Sequence, residues 1–330
     1  MSDNQQSIPI LDQGIMPLLQ KVDLEEFRAL NRGKSKALVD KLMTEEDAVG
    51  RFVEDGSYIG IELYGTVRAP MSLVRAIVRS GKKAFRLAGQ GVHESDLIIA
   101  ARQVEHIDFT YMGQEVYGVS SITRRACEPG GSVKTIVEWS NGAISWRFKA
   151  ASMGVPFVPT YSMLGTDTLK YSAAKVIECP FTKKPVALLP ALILDVGFIH
   201  VSRADKHGNC QIDGISGFAF EMARASKKLI ISAEEIVDVN EIRKQPDKTI
   251  IPYYLVDAVV HAPYGSWPGE MAGDYERDEE HYKRFIQLSK TKEDTDAYMK
   301  EWVYDLPDHK ALIEKIGKDR LESLRIGKEA

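Results

Sequence analysis

His93 and Glu94 are adjacent in the chain and combine two side chains that hold and transfer protons, an imidazole and a carboxylate. They lie in the segment 87–96, LAGQGVHESD, where an apolar run leads through a glycine-containing turn into a second apolar run. An acid–base pair needs a third group that orients it, and the sequence identifies none. A solvated loop pair or a local ion pair is therefore the alternative interpretation of these two residues.

The same turn contains Gly89 and Gly91, and α/β proteins often hold a phosphate in such a turn. The dinucleotide fingerprint G-x-G-x-x-G fails because Glu94 stands at its third glycine. A tight strand-to-helix turn is the simpler interpretation. Glycine also lets backbone N–H groups approach a ligand closely, so this turn is a candidate for the wall of a binding cleft.

Three further segments place polar side chains next to glycine: YGTVRAP at 64–70, GQEVYGVSS at 113–121 and WSNG at 139–142. Ser120 and Ser121 precede a helical pattern, which favours a role in capping that helix. A nucleophilic serine would be expected in a G-x-S-x-G elbow, which the sequence lacks. These segments therefore predict binding surfaces rather than a nucleophile.

Strand and helix patterns alternate around these segments. Strands are predicted at 57–63, 84–89, 106–112 and 133–139, and each is followed by a predicted helix, at 70–80, 95–103, 120–127 and 142–154. Such alternation predicts an α/β fold with an open, mainly parallel sheet flanked by helices. Because ligands bind beyond the carboxyl ends of parallel strands, the four loops are expected at one edge of the sheet.

The remaining segments divide the chain into a lead-in and one large domain. Residues 1–43 form a polar lead-in with one predicted helix at 23–42, and residues 44–330 form the α/β domain. Further strands are predicted at 175–181, 186–192, 192–202, 228–237 and 250–263. The residues after 275 predict a helical C-terminal extension.

Composition excludes several classes of function. The formal net charge is −4 without a basic stripe, so we expect no nucleic-acid partner. The N-terminus lacks the pattern of a signal peptide, and the apolar run 186–201 contains Pro190 and Asp195, so we expect a cytoplasmic protein with no membrane partner. The three cysteines lie far apart without metal-ligand spacing, which predicts free thiols and no metal.

The loops together carry a resemblance that no single loop does. The segment 55–77, DGSYIGIELYGTVRAPMSLVRAI, is similar to the α-subunit signature of family I CoA-transferases. The segments 150–167, 195–209 and 230–275 are similar to the same subunits. Residues 230–275 and 290–309 resemble the α-type chain of the glutaconate CoA-transferases in particular. The resemblance extends over residues 44–325.

The resemblance implies the CoA-transferase fold and a β subunit, with the active site between the two chains. In that family a glutamate on the β chain attacks an acyl-CoA, and a glutamyl-CoA thioester then passes CoA to a carboxylic acid. The β-subunit signature Ser-Glu-Asn-Gly is absent, since the nearest string is WSNG at 139–142. The resemblance thus implies no catalytic nucleophile in this chain, no resident cofactor, a CoA thioester as substrate and a higher α/β hetero-oligomer.

The contribution expected of this chain is a wall of the acyl-CoA pocket. By the resemblance, Tyr117 occupies the position of a serine that faces the active site in the glutaconate type, so a different acyl group is expected. Aromatic residues in or beside the loops favour a bulky one. The residues assigned to this wall are Gly65, Thr66, Arg68, Gln90, Gly91, His93, Glu94, Gln114, Glu115, Tyr117, Ser120, Ser121, Trp139 and Asn141.

Two alternative functions stay open. Related heterodimers hydrolyse a ring C–C bond in CoA-linked steroid fragments, and this chain resembles their α chain too. Their loop after the strand at 133–139 carries a glutamate base, whereas this chain has Asn141, which cannot abstract a proton. The second alternative is a non-catalytic effector-binding module, because regulators share this sheet topology.

Overall fold

The computed structural model describes residues 8–327, and we number its elements in chain order. The strands are β1 (Ile10–Gln13), β2 (Tyr58–Ile61), β3 (Phe85–Gly91), β4 (Val104–Met112), β5 (Thr135–Glu138), β6 (Phe157–Thr160), β7 (Lys175–Glu178), β8 (Pro185–Pro190), β9 (Leu194–Ala204), β10 (Cys210–Gln211), β11 (Ser226–Ile236), β12 (Thr249–Ile251) and β13 (Ala258–His261). The helices are α1 (Leu24–Gly33), α2 (Glu45–Phe52), α3 (Met71–Arg79), α4 (His93–Ala100), α5 (Ser121–Cys127), α6 (Asn141–Met153), α7 (Asp167–Lys170), α8 (Ala219–Arg224), α9 (Val239–Lys244), α10 (Glu279–Leu288), α11 (Lys292–Met299), α12 (His309–Ile316) and α13 (Lys318–Ser323).

The large sheet has nine strands and is mainly parallel. Seven parallel strands lie in the order β13-β11-β9-β2-β3-β4-β5, and the short β10 and β12 continue from the end of β9 in antiparallel pairs. The predicted open parallel sheet is therefore confirmed. Since β2, β3, β4 and β5 are adjacent and parallel, the loops that follow them leave the same edge.

Helices cover both faces of this sheet. The alternation of a strand directs Ile59 and Ile61 to one face and Tyr58 to the other, and each set joins a separate apolar core. Helices α2 to α5 and the C-terminal extension pack on the first face, whereas α6 and α8 pack on the second. The loops at the strand ends are thus fixed from both sides.

A second, antiparallel sheet has the strand order β1-β7-β8-β6, which the sequence did not predict. Its first strand comes from the lead-in, where Ile10 pairs with Ile177. The lead-in also joins the large sheet, because the Met43 N–H donates to the Val259 carbonyl at 3.0 Å. The lead-in is therefore joined to the antiparallel sheet through β1 and to the large sheet near Met43. Residues 1–7 of the predicted lead-in lie outside the described residues.

Two predicted elements are wrong in extent. The helix expected at 23–42 ends at Gly33, and the Lys34 backbone is already extended. The strand expected at 250–263 is broken into β12 and β13 by a 3₁₀ turn that follows Pro252, a residue without a backbone N–H to donate. The helical extension is confirmed and comprises α10 to α13, with a π-helical turn at Lys300–Tyr304.

Two further expectations concern covalent chemistry and membranes. Cys127, Cys179 and Cys210 are all free thiols, as predicted. Within residues 8–327 no helix is long and apolar enough to span a bilayer.

Candidate functional site

A small cavity lies where the first two loops meet the C-terminal extension. Its volume is about 10 Å³, roughly the space of one water molecule. The loops contribute Gly65, Thr66, Val92, His93 and Glu94. The segment between β13 and α10 contributes Ser266 and Gly269, and the extension contributes Tyr282. The structure thus brings four of the predicted wall residues together around one space.

The first loop turns sharply at Gly65. Tyr64 and Val67 form a bridge across the turn, and Gly65 has a φ of +61°, which favours glycine. The hydroxyl of Thr66 donates to Glu270 at 3.0 Å and accepts from Arg277 at 3.2 Å, so the segment between β13 and α10 holds this loop in place.

Arg68, in the same loop, points into the protein and away from the cavity. Its guanidinium is fully buried and pairs with Glu62 at 2.6 Å, and it donates to the carbonyl oxygen of His200 at 2.8 Å. Since these bonds occupy the guanidinium, Arg68 supports the loop from inside. Arg68, a predicted wall residue, is therefore not part of the cavity wall in the described structure.

The second loop places Glu94 at the start of α4. The Val92 N–H donates to both carboxylate oxygens, at 3.0 and 3.2 Å. Burial raises the pKa of Glu94 to about 7, although the backbone N–H groups of the first helical turn act in the opposite direction. The carboxyl therefore changes its charge near neutral pH.

Gly91 explains why this turn is so compact. A Cβ at this position would lie 2.7 Å from the Met112 methyl group and 2.7 Å from the Ser95 hydroxyl. Gln90 precedes it within β3 and is partly buried. A larger residue would therefore require the ends of the Met112 and Ser95 side chains to move, so glycine favours this close approach of β3, β4 and α4.

His93 is buried among aromatic side chains of the extension. Its ring lies 4.1 Å from the Phe285 ring centroid and 5.8 Å from that of Tyr282. Neither ring nitrogen has a hydrogen-bond partner within the described residues. Burial, together with the nearby Arg75 cation, lowers the pKa of His93 well below its usual value, so the imidazole is neutral.

The third loop is fixed by Asp96, a carboxylate that sequence reasoning missed. Asp96 accepts hydrogen bonds from Gln114, Ser120 and, at 2.9 Å, Thr123. Ser120 also caps α5 by accepting from the Thr123 N–H at 3.0 Å, which confirms the predicted cap. The roles of Gln114 and Ser120 seen here are therefore structural, since both bond to Asp96 rather than line the cavity.

The tip of the third loop lies against the first. Glu115 has a φ of +50°, and its carboxylate lies beside Gly65, where an added Cβ would be 3.6 Å from Oε1. The Tyr117 ring lies 5.8 Å from the Tyr282 ring, and the Arg277 guanidinium lies above both. Ser121 is the first residue of α5 and is partly buried.

The fourth loop contributes to the core instead of the cavity. Trp139 is buried and its indole N–H donates to Asp108 at 2.6 Å, while the Arg147 guanidinium stacks 4.0 Å above its ring. Asn141 is exposed at the first turn of α6, next to the capping Ser140. Neither predicted wall residue reaches the cavity in the described structure.

Sequence reasoning missed the part of the site that comes from residues 266–282, which lead into and begin the extension. Ser266 and Tyr282 lie more than 170 residues after His93, and no local motif marks them. The string SWPGEMAG at 266–273, rich in turn residues between two regular segments, was the available signal.

A family model described as coenzyme A transferase matches residues 42–262 of this chain, which is more than half of it. The chain belongs to the coenzyme A transferase family. It is 46% identical over 322 residues to an uncharacterized protein of Archaeoglobus fulgidus, a match that covers 96% of this chain and 72% of that one.

Two further relatives of this coenzyme A transferase chain have informative names. The A-type chain of glutaconate CoA-transferase from Acidaminococcus fermentans is 33% identical over 307 residues, 87% of this chain and 95% of its own. The crystal structure of that enzyme matches with a TM-score of 0.82 at 32% identity, over 87% of this chain and 96% of that chain. A cholesterol ring-cleaving hydrolase IpdA subunit of Rhodococcus jostii is 26% identical over 85% of this chain and 98% of its own.

Proposed function

We propose that this chain is the α subunit of a heteromeric CoA-transferase. The enzyme moves CoA between an acyl-CoA and a carboxylic acid by a ping-pong route. A glutamate of the partner β subunit forms a glutamyl-CoA thioester, and this chain supplies one wall of the acyl-CoA pocket. The observation that carries the proposal is the similarity to the A-type chain of glutaconate CoA-transferase along almost the whole of both chains.

The absence of the Ser-Glu-Asn-Gly string from the full sequence supports a nucleophile on another chain. The loop edge supports an inter-chain surface as well. Four apolar side chains, Tyr64, Tyr111, Val116 and Val119, are exposed in or beside the first and third loops. An exposed apolar cluster beside a binding cavity is typical of a partner surface. CoA is then a substrate that arrives as a thioester, and no bound cofactor is needed.

The ring-cleaving hydrolase of Rhodococcus jostii favours a second candidate, CoA-dependent C–C hydrolysis. Asn141 argues against the route through a base in the fourth loop, because an amide cannot take a proton and this side chain lies away from the cavity. An effector-binding module without catalysis is disfavoured because the chain belongs to an enzyme family.

The test is to purify the full chain alone and together with a β subunit that carries Ser-Glu-Asn-Gly. Each sample is incubated with glutaryl-CoA, reduced with borohydride and examined by mass spectrometry for a modified glutamate. We expect modification only in the complex and only on the β subunit, with CoA passed to acetate. Ring-opened product or free CoA release without a trapped enzyme would favour the hydrolase, and failure to form a complex would contradict the assignment of this chain as an α subunit.

A further inference from the structure

The cavity between the loops and the extension is lined by buried polar groups that have no partner. Both ring nitrogens of His93, the hydroxyl of Ser266 and the hydroxyl of Tyr282 lack a hydrogen bond within the described residues. All three side chains are more than nine-tenths buried, and all line the same cavity. Buried polar groups are almost always paired, so their convergence indicates a polar occupant. The cavity volume of about 10 Å³ is close to the least that holds one water, so the cavity suits a single water molecule.

Glu94 is the carboxyl group of this cavity. The backbone N–H of Val92 bonds to its two oxygens, and a carboxylate offers about four acceptor positions, so these bonds leave part of its accepting capacity open. No hydrogen bond or ion pair joins it to a cationic side chain within residues 8–327. Its neighbour Asp96 differs, because three side-chain donors hold that carboxylate in a structural role.

The transferase reaction itself does not require a general acid or base such as the Glu94 carboxyl. A carboxylate nucleophile, a thiolate and an acyl group exchange without any proton transfer to carbon. A buried carboxyl beside a water-sized space instead suits general acid–base chemistry, whose agent must hold a proton near neutral pH.

We propose that Glu94 exchanges protons with the carbon adjacent to the thioester carbonyl of an acyl-CoA bound at the Gly65–Thr66 wall. The carboxylate takes a proton from a water in the cavity as that water takes the α-proton. The C–H electron pair forms the C=C bond of the enolate, and the carbonyl π electrons move to oxygen. The reverse step returns a proton from the same water, so the net change is exchange with solvent. This inference rests on the proposed function, since it needs an acyl-CoA in the cleft.

The polar wall fits this assignment. The neutral imidazole of His93 and the hydroxyls of Ser266 and Tyr282 can each donate and accept, so they can hold a water in either protonation state of the carboxyl. The titratable groups around Glu94 are His93 and Asp96 on α4, Glu115 on the third loop, Glu270 and Arg277 between β13 and α10, and Tyr282 on α10.

The experiment measures deuterium uptake by glutaryl-CoA in D₂O, catalysed by the complex of the full chain with its β subunit. We expect Glu94→Gln to lower the exchange rate at least ~100-fold. Borohydride trapping of the β glutamate is measured on the same samples, and each exchange rate is divided by the amount of trapped glutamate, so that a change in acyl-CoA binding is separated from a change in proton exchange. The matched control is Glu45→Gln, which changes another buried carboxyl in the first turn of a helix, away from the cavity, and should exchange as the wild type does.

A second measurement does not depend on the folding of the variant. In the wild type the exchange rate should rise with pH through the pKa of Glu94, about 7, because only the carboxylate is a base. A rate that is flat across that range, or equal in wild type and Glu94→Gln, would overturn the inference.

The two proposals fail separately. A wild-type complex that traps the thioester but incorporates no deuterium overturns the role of Glu94 and leaves the transferase standing. A complex that exchanges through Glu94 without a trapped thioester supports Glu94 and contradicts the transferase. A complex that does neither contradicts both.

Discussion

Two buried polar networks, one around Asp108 in the middle of β4 and one around the cavity at the loop edge, differ in how their groups are paired. Around Asp108, one carboxylate oxygen accepts from Trp139 at 2.6 Å and the other from Arg147 at 2.7 Å and from Tyr58. Around the cavity, the ring nitrogens of His93 and the hydroxyls of Ser266 and Tyr282 have no partner within the described residues. Because both networks are almost fully buried, burial alone does not distinguish structure from function; the pairing does.

The comparison indicates that the polar groups around Asp108 stabilise the fold, whereas those around the cavity do not. The Asp108 network ties β2, β4 and α6 together with every charge compensated, as a structural ion pair requires. The cavity keeps donors and acceptors available at a cost in stability, which is typical of sites that bind or react. Substitutions in the two networks should therefore have opposite effects.

The largest effect is expected from Asp108→Ala. The change leaves the buried Arg147 guanidinium without its counter-charge, and losing one partner of a buried pair costs about 3–5 kcal/mol. Urea unfolding of the purified chain measures the free energy of unfolding. Glu105→Ala on the same strand removes a more exposed partner of Lys134 and should cost less than about 1 kcal/mol. Equal losses in the two variants would contradict the comparison.

A smaller effect of opposite sign is expected from Glu94→Gln. Burial raises the pKa of Glu94 from 4.5 to about 7, so the folded chain binds this proton more tightly than the unfolded chain does. The wild type therefore loses stability as pH rises from 4.5 to 7. Glutamine avoids this loss and should be more stable by on the order of 3 kcal/mol at pH 8, with little difference at pH 4.5.

Urea unfolding at both pH values measures this pH dependence. Glu178→Gln on β7 changes an exposed carboxyl and should stay within about 0.5 kcal/mol of the wild type at each pH. A Glu94→Gln variant that is destabilised at pH 8 would indicate that the carboxylate serves mainly as a cap of α4.

The smallest effect is expected from His93→Phe. Phenylalanine fits the aromatic surroundings of Phe285 and Tyr282 and removes two unpaired nitrogens, so stability should stay within about 1 kcal/mol of the wild type or rise. Thermal unfolding in the presence of the β subunit measures it. The contrasting variant is His281→Phe. His281 forms a hydrogen bond with Tyr298 at 2.9 Å, and the loss of this bond should destabilise the folded protein. A large loss for His93→Phe would mean that the imidazole is bonded after all.

The sequence predicted the edge at which the site forms but only part of its content. Alternating strands and helices place the first three loops together, and Ser120 is recognisable as a cap because its role is local. Trp139 and Asn141 follow a strand of the same sheet, yet Asp108 draws the indole into the core. Which way a loop side chain turns depends on such a distant partner, and a single sequence does not reveal it.

The cavity and the smaller sheet also depend on contacts between residues that are far apart in the sequence, and for this reason they were not predicted. Tyr282 and Ser266 reach His93 and Glu94 only through tertiary packing, and β1 pairs with β7 across most of the N-terminal half of the chain. The prediction of α1 from helix propensity was too long. The residues after Gly33 also favour a helix, but α1 ends at Gly33.

The position of the extension has a consequence for synthesis on the ribosome. Glu94 emerges early, whereas Tyr282, which closes the same cavity, follows 188 residues later. At a translation rate of about 5–20 residues per second, roughly 10–40 seconds separate the two. During that interval the nascent chain carries the loops without their cover. The nascent chain therefore acquires an intact cavity only after Tyr282 has emerged, and a chain terminated before that residue would present the open loops to any partner it meets.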